Sequence, residues 1–260
     1  MACKSGLIAV AIGWIIGFGM LVSCGEHSDK QDVEHLERVK NIDSLVRAQM
    51  NTNLNDALAY IDSLETSGSA SKPVLYYSRG VVYNAMMQKT TAMLFFQKAL
   101  DGDGLLQECP ELFYKACDNL SIILSNRGNN AEALEVANRC YEVARQDNTP
   151  LGRQWTSVIL HAIGYFDMQL GMKEEAERNF SMSYMGLSQI VNADSSYPNL
   201  QTYARVSLNI LDAYTTTGQY EVAVEWLQSA EIAADKLSES PQCTDADRAK
   251  YVGGIALQKA

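Results

Sequence analysis

The chain has 260 residues, and 47% of them are hydrophobic, which is enough for a substantial core. Its 21 Lys and Arg residues stand against 31 Asp and Glu residues, so the formal net charge at pH 7 is -10. Extended disorder and nucleic-acid binding are both disfavoured, because the first needs few apolar residues and the second needs clustered basic ones.

The N-terminal segment is typical of an export signal. Lys4 gives it a positive start, and the uncharged, largely apolar stretch Leu7 to Val22 follows. As a helix this stretch would rise about 24 Å, short of a ~30 Å hydrocarbon core, which disfavours the alternative of a transmembrane anchor. The small residues before Cys24 resemble the lipobox of bacterial lipoproteins. That resemblance implies a signal peptide over residues 1–23 and a lipid on Cys24.

Residues 24–37 are polar and rich in charge, which predicts a short solvated tether between a membrane and the folded part. Membrane association is expected through the N-terminal lipid. The expected location is the exported side of the cell envelope, with the lipid in either the outer or the inner membrane.

The body of the chain is predicted to be all-α. Apolar residues recur at i, i+3, i+4 and i+7 in almost every window, and strict alternation never extends over more than a few residues. Within this pattern, Gly80, Tyr83, Ala92 and Phe96 have the spacing G-x-x-Y followed by A-x-x-x-F. Gly164 stands 12 residues before an alanine, as Gly80 does, so the pattern indicates an internal repeat.

Three further glycines define a second register of the same repeat. Gly128, Gly171 and Gly218 each stand five residues before an alanine. A helical hairpin needs this arrangement, because small residues let two helices touch and a glycine can take the left-handed conformation at the turn. The steps between successive second helices are 35, 41, 43 and 47 residues, measured on Ala57, Ala92, Ala133, Ala176 and Ala223.

This pattern resembles the tetratricopeptide repeat (TPR), whose usual period is ~34 residues, with lengthened units similar to those of bacterial regulatory solenoids. The resemblance covers about residues 40–236. It implies a right-handed superhelical solenoid of about five TPR-like hairpins over residues 38–247. Arg79 and Asp167 depart from the pattern, which has a leucine and a tyrosine at these positions. A plain antiparallel helical bundle is the alternative, because hydrophobic periodicity alone does not separate the two folds.

Residues 248–260 are predicted to begin a further hairpin whose second helix is missing, so we expect the sequence to be the N-terminal part of a longer protein. The chain also resembles lipid-anchored or membrane-linked repeat proteins of Bacteroidetes, which often continue into signalling segments. That resemblance implies a sensor or scaffold role.

No residue pattern is typical of a catalytic or metal site, and we expect neither an enzyme nor a cofactor. His161 has no Ser, Cys or carboxylate partner at a recognisable spacing. The stretch 101–104 has the composition of a calcium loop, but leucine stands where an EF-hand needs its later ligands. The six cysteines form no CxxC pair, which disfavours a metal or redox site. Cys117 and Cys140 are predicted to be small buried residues, because they lie at positions that face neighbouring helices in the repeat register.

Projecting the repeat register onto the first helices places ten polar or aromatic residues along the concave surface. These predicted binding residues are Tyr77, Asn84, Asp118, Asn126, His161, Tyr165, Gln169, Arg205, Asp212 and Thr216. Such a groove suits an extended peptide or a partner helix, whereas an ordinary solvated helix face is the alternative for each residue. The expected function is a membrane-anchored module that binds a peptide or protein. The alternative function is a glycan-handling surface lipoprotein that uses helical repeats as a frame.

Overall fold

The computed structural model describes residues 33–258, and every regular element in that range is a helix. The predicted all-α class is confirmed. No helix within the range is both long and apolar enough to cross a membrane. The predicted signal peptide, Cys24 and residues 24–32 lie outside the described residues. The helices are 33–52 (α1), Leu54–Ser67 (α2), Lys72–Ala85 (α3), Lys89–Ala99 (α4), Gly104–Glu108 (α5), Pro110–Asn126 (α6), Asn130–Ala144 (α7), Pro150–Gln169 (α8), Lys173–Ala193 (α9), Tyr197–Thr216 (α10), Tyr220–Ser238 (α11) and Asp245–Gln258 (α12).

The first helix begins earlier than the sequence suggested. Residues 33–37, expected in the tether, form the first turn of α1. Farther along the helix, Val39, Ile42 and Val46 are buried on one face, at helical spacing. Glu34, His35 and Glu37 give the first turn the polar composition of a tether. Because this turn is helical, the predicted tether is too long at its C-terminal end.

The described helices divide into two compact units, one ending at Phe113 and the other beginning at Tyr114. In the first unit, α3 packs against α2, α4 and α5. In the second, α8 pairs with α9 and α10 pairs with α11, while α7 contacts α8 and α12 contacts α10 and α11. Helices adjacent in sequence are thus adjacent in space, consistent with a helical repeat. The superhelical path stays a prediction.

Glycine meets phenylalanine inside two of the helix pairs. A Cβ atom at Gly80 would lie 2.7 Å from the Phe96 ring, and one at Gly164 would lie 2.8 Å from the Phe180 ring. Both phenylalanines are fully buried, and so is Ala176, one turn before Phe180. The prediction that small residues mark the contacts between paired helices is confirmed at these positions.

The predicted turn glycines adopt the left-handed conformation. Gly128, Gly171 and Gly218 have φ angles of 81°, 80° and 73°. The amide after Gly128 donates to the Leu124 carbonyl over 3.0 Å, which satisfies one of the carbonyl groups left open at the end of α6. Between α3 and α4 the same place is taken by Met87, with φ of 62°. The hairpin turn therefore has one geometry in both units.

Two residues that depart from the repeat pattern make polar contacts between helices. The Arg79 guanidinium donates to Asp62 over 2.7 Å and to Glu65 over 2.6 Å, which joins α3 to α2. The Asp167 carboxylate is buried and accepts a hydrogen bond of 2.8 Å from the Asn179 side chain on α9. In both helix pairs a specific polar contact replaces an apolar one, and the pairing of the helices is retained.

The start of α12 is fixed by reciprocal capping. The Thr244 hydroxyl accepts from the Asp247 amide over 3.1 Å, and the Thr244 amide donates to the Asp247 carboxylate over 3.0 Å. Tyr197 on α10 donates to the same carboxylate over 2.6 Å. The hydrogen bonds from Thr244 and Tyr197 hold the pKa of Asp247 well below its usual range. The cap therefore also attaches the first turn of α12 to α10.

The four cysteines in the described range carry free, buried thiols: Cys109, Cys117, Cys140 and Cys243. The prediction that Cys117 and Cys140 are small buried residues is confirmed. Burial raises the pKa of the Cys140 thiol, and the neighbouring Cys117 thiol adds to the shift. The Cys140 thiol therefore stays protonated at neutral pH, which suits a residue that packs rather than reacts.

Candidate ligand-binding cleft

A cleft of about 210 Å³ opens on the second unit along α6, α8 and α10. These are the first helices of successive pairs, on which the repeat register had placed most of the predicted binding residues. The cleft is lined by Asp118, Ile122, Ser125, Asn126, Val158, His161, Ala162, Tyr165, Phe166, Arg205, Asn209 and Asp212.

Six of the ten predicted binding residues line this cleft: Asp118, Asn126, His161, Tyr165, Arg205 and Asp212. Gln169 and Thr216 are exposed at the C-terminal ends of α8 and α10 and lie outside the lining. Tyr77 and Asn84 belong to the first unit. The Asn84 side chain accepts a hydrogen bond of 2.6 Å from Lys89.

The surface position predicted for Tyr77 is wrong. Its side chain is completely buried, and its hydroxyl accepts a hydrogen bond of 2.9 Å from the Arg47 guanidinium on α1. Burial raises the pKa of this hydroxyl far above its ordinary value. Tyr77 stands ten residues before the turn residue Met87, as His161 does before Gly171. The register is therefore the same, but α1 covers this face of α3.

The lining residues recur at intervals of three or four along each helix, which separates them by ~5–6 Å and arranges the cleft in tiers. Asp118, His161 and Arg205 form what we call the charged tier. The Arg205 charge acts on the pKa of both other members, which is consistent with their proximity across the cleft. Ile122, Tyr165 and Asn209, each four residues farther along, form the middle tier.

Burial controls the protonation of the charged tier. It lowers the pKa of His161 to about 3, and the positive charge of Arg205 lowers it further. His161 is therefore neutral at pH 7 and offers one N–H donor and one acceptor. Burial also raises the pKa of Asp118, whereas the charge of Arg205 acts in the opposite direction.

The two charged side chains of this tier line the cleft and interact electrostatically with each other, but no direct contact joins them within the described residues. Within residues 33–258, neither the Asp118 carboxylate nor the Arg205 guanidinium takes part in a hydrogen bond or an ion pair. They lie on different helices, with His161 on the helix between them. The charged tier thus presents an acceptor on one wall and a multiple donor on the other.

The middle tier is less polar than the charged tier, and Asp212 at the outer end of the cleft already has a partner. Ile122 is 46% exposed, and the Tyr165 ring packs edge-on against Phe166. Asp212 accepts a hydrogen bond of 2.9 Å from the Gln258 side chain on α12. The free charges of the lining are therefore concentrated in the charged tier.

Sequence reasoning missed Ile122 and Asn209. Both follow a predicted residue by one helical turn, Ile122 after Asp118 and Asn209 after Arg205, so the spacing alone identifies them. Ile122 is apolar, whereas the predicted binding residues are all polar or aromatic.

The described residues contain no group of three or more side chains suited to hold a metal ion. No protein-family profile matches the chain, and comparison with curated proteins gives no match. Over residues 33–258, the fold and the cleft define an all-helical protein of adjacent helix pairs, with a polar, partly charged cleft along three first helices of its second unit.

Proposed function

We propose that the protein is a non-enzymatic binding module that takes up a peptide or protein segment along α6, α8 and α10, with its helix pairs arranged as a TPR-like solenoid. The observation that supports this most directly is the cleft itself, which joins six predicted residues from three helices. A carboxyl group and a guanidinium from different helices, those of Asp118 and Arg205, line this one concavity. Neutral His161 offers one donor and one acceptor to a ligand, which suits recognition.

We expect a photo-crosslinking residue at position 122 to capture a polypeptide partner in cells that make the protein. Ile122 lines the cleft and is 46% exposed, so a bulky benzophenone side chain fits there without entering the core. The measurement is an adduct of increased mass on a denaturing gel, identified by peptide mass spectrometry.

Ile232 provides the matched control, because it is an isoleucine of nearly equal exposure, 43%, outside the cleft lining. The same crosslinker at position 232 should give no adduct with that partner. Equal adducts at both positions, or none at position 122, would contradict the proposal.

We further propose that the module is a Bacteroidetes-type lipoprotein, anchored on the exported side of the cell envelope as the sensor or scaffold part of a longer signalling protein. The segment before Cys24 supports the anchor, since it is too short to span a bilayer and ends in a lipobox-like sequence. The folded, acidic second unit suits an aqueous compartment next to the membrane.

The mature N-terminus is expected at Cys24, carrying a lipid. Intact-mass analysis of protein extracted from membranes should show a chain that lacks residues 1–23 and carries a mass increment from acyl groups on Cys24. A Cys24→Ala variant should leave the detergent phase, because it has no acceptor for the lipid. A wild-type chain that retains Met1 would contradict the anchor.

A further inference from the structure

The charged tier has a composition that an extended peptide backbone does not require. A main-chain amide is satisfied by neutral donors and acceptors, and the cleft already contains Asn126 and Asn209 for this purpose. Asp118 and Arg205 instead place a carboxyl group and a guanidinium in the same small volume. Charges that are partly removed from water are compensated best by full opposite charges.

We infer that the charged tier binds a zwitterionic α-amino acid, with its carboxylate on Arg205 and its ammonium group on Asp118. The guanidinium fork of Arg205 matches a carboxylate in two parallel hydrogen bonds. The Asp118 carboxylate accepts from the ammonium group. The ring of His161, between them, adds one neutral donor or acceptor and no competing charge.

The size and lining of the cleft favour an apolar amino acid. The cleft volume of about 210 Å³ accommodates a ligand of the size of one amino acid beside the charged tier. Beyond the charged tier, the ligand side chain meets Ile122 and the Tyr165 ring, with Val158 and Ala162 also in the lining. Leucine meets both requirements, because it places a branched apolar chain beside the two charges.

This inference rests on the proposed function only in taking the cleft as the binding site. The ligand class is different, because a free amino acid carries both charges on one carbon, whereas an internal peptide residue carries neither. A dipeptide also carries both charges, but several ångströms farther apart, so it distinguishes a free amino acid from a short peptide.

The test is calorimetric titration of the protein with four probes: L-leucine, leucinamide, N-acetylleucine and the dipeptide Leu-Leu. Leucinamide lacks the carboxylate and N-acetylleucine lacks the ammonium group. We expect L-leucine to bind, and each of the other three to bind about tenfold more weakly or worse, since each loses or displaces a charge-assisted contact.

Two variants assign the charges to their residues. Arg205→Gln should bind L-leucine and leucinamide equally, because the partner of the carboxylate is gone. Asp118→Asn should bind L-leucine and N-acetylleucine equally, because the partner of the ammonium group is gone. Arg178→Gln is the matched control, since Arg178 is an exposed arginine on α9, outside the cleft lining, and its removal should change none of the ratios.

Absence of L-leucine binding at about 10 mM, or equal binding of all four probes, would overturn the inference. Stronger binding of Leu-Leu than of L-leucine would show that the site prefers short peptides, and it would also overturn the inference. If the position-122 crosslinker still captures a polypeptide while L-leucine does not bind, the proposed function stands without this inference. If L-leucine binds with the expected variant pattern and no polypeptide is captured, the inference stands and the proposed partner class fails.

Discussion

Replacing Ala176 with leucine is expected to lower the free energy of unfolding by about 1 to 3 kcal/mol, the usual cost of overpacking a buried contact. Ala176 has no exposed surface, and its carbonyl oxygen would lie only 3.1 Å from a Cβ atom at Gly164. The fully buried Phe180 ring occupies the remaining space beside Gly164, so a larger side chain has to push α8 and α9 apart. Urea denaturation followed by circular dichroism measures the loss.

Ala249→Leu is the control for the Ala176→Leu variant. Ala249 is an exposed alanine inside α12, so a leucine there changes neither the packing nor, appreciably, the helix propensity. Its free energy of unfolding should stay within about 0.5 kcal/mol of the wild type. Equal stability of Ala176→Leu and Ala249→Leu would mean that Ala176 is not a contact between paired helices.

The hairpins could be predicted from the sequence because their determinants are local. A glycine such as Gly171 takes the left-handed conformation within one turn, and the alanine five residues later lies on the helix that follows. The interval between Gly164 and Phe180 likewise fixes a contact within a single pair. No distant part of the chain has to be known for either feature.

Features that depend on distant helices could not be predicted in this way. Tyr77 has the register of a groove residue, yet α1 covers it and Arg47 binds its hydroxyl, which is a tertiary contact over 30 residues of sequence. The start of α1 was missed for a related reason. Its apolar residues are few, and their burial depends on helices that follow much later.

In the cleft, the sequence indicated which residues share a surface but not their electrostatic state. The register placed Asp118, His161 and Arg205 on first helices, one from each of three successive pairs. That no direct contact joins the carboxyl group to the guanidinium, and that the imidazole is neutral, follows from spacing across helices and from burial. The helical periodicity of the sequence gives neither the burial of a side chain nor its distance from side chains on other helices.

The neutral state of His161 leads to a prediction about stability in weak acid. In the folded protein its pKa is lowered to about 3 from an ordinary value of 6.5, because burial and the Arg205 charge disfavour the imidazolium. Below pH 6.5 the His161 imidazole is therefore protonated in the unfolded chain but stays neutral in the folded chain. The folded state loses stability as the pH falls from 6.5 towards 3, and the loss at pH 5 is about 2 kcal/mol.

A His161→Gln variant should lose this part of the pH dependence, so that its free energy of unfolding falls by about 2 kcal/mol less than that of the wild type between pH 7 and pH 5. Asp247, whose pKa is also lowered, does not interfere, because a carboxylate of this kind loses its stabilising effect only below its unfolded pKa of about 3.9. Gln169→Ala is the control, since Gln169 is exposed on α8, lies outside the cleft lining and carries no titratable group, so its removal should leave the wild-type slope intact. Parallel urea titrations at the two pH values measure the difference. An unchanged slope in His161→Gln would show that the imidazole titrates normally and that the charged tier carries two positive charges in weak acid instead of one.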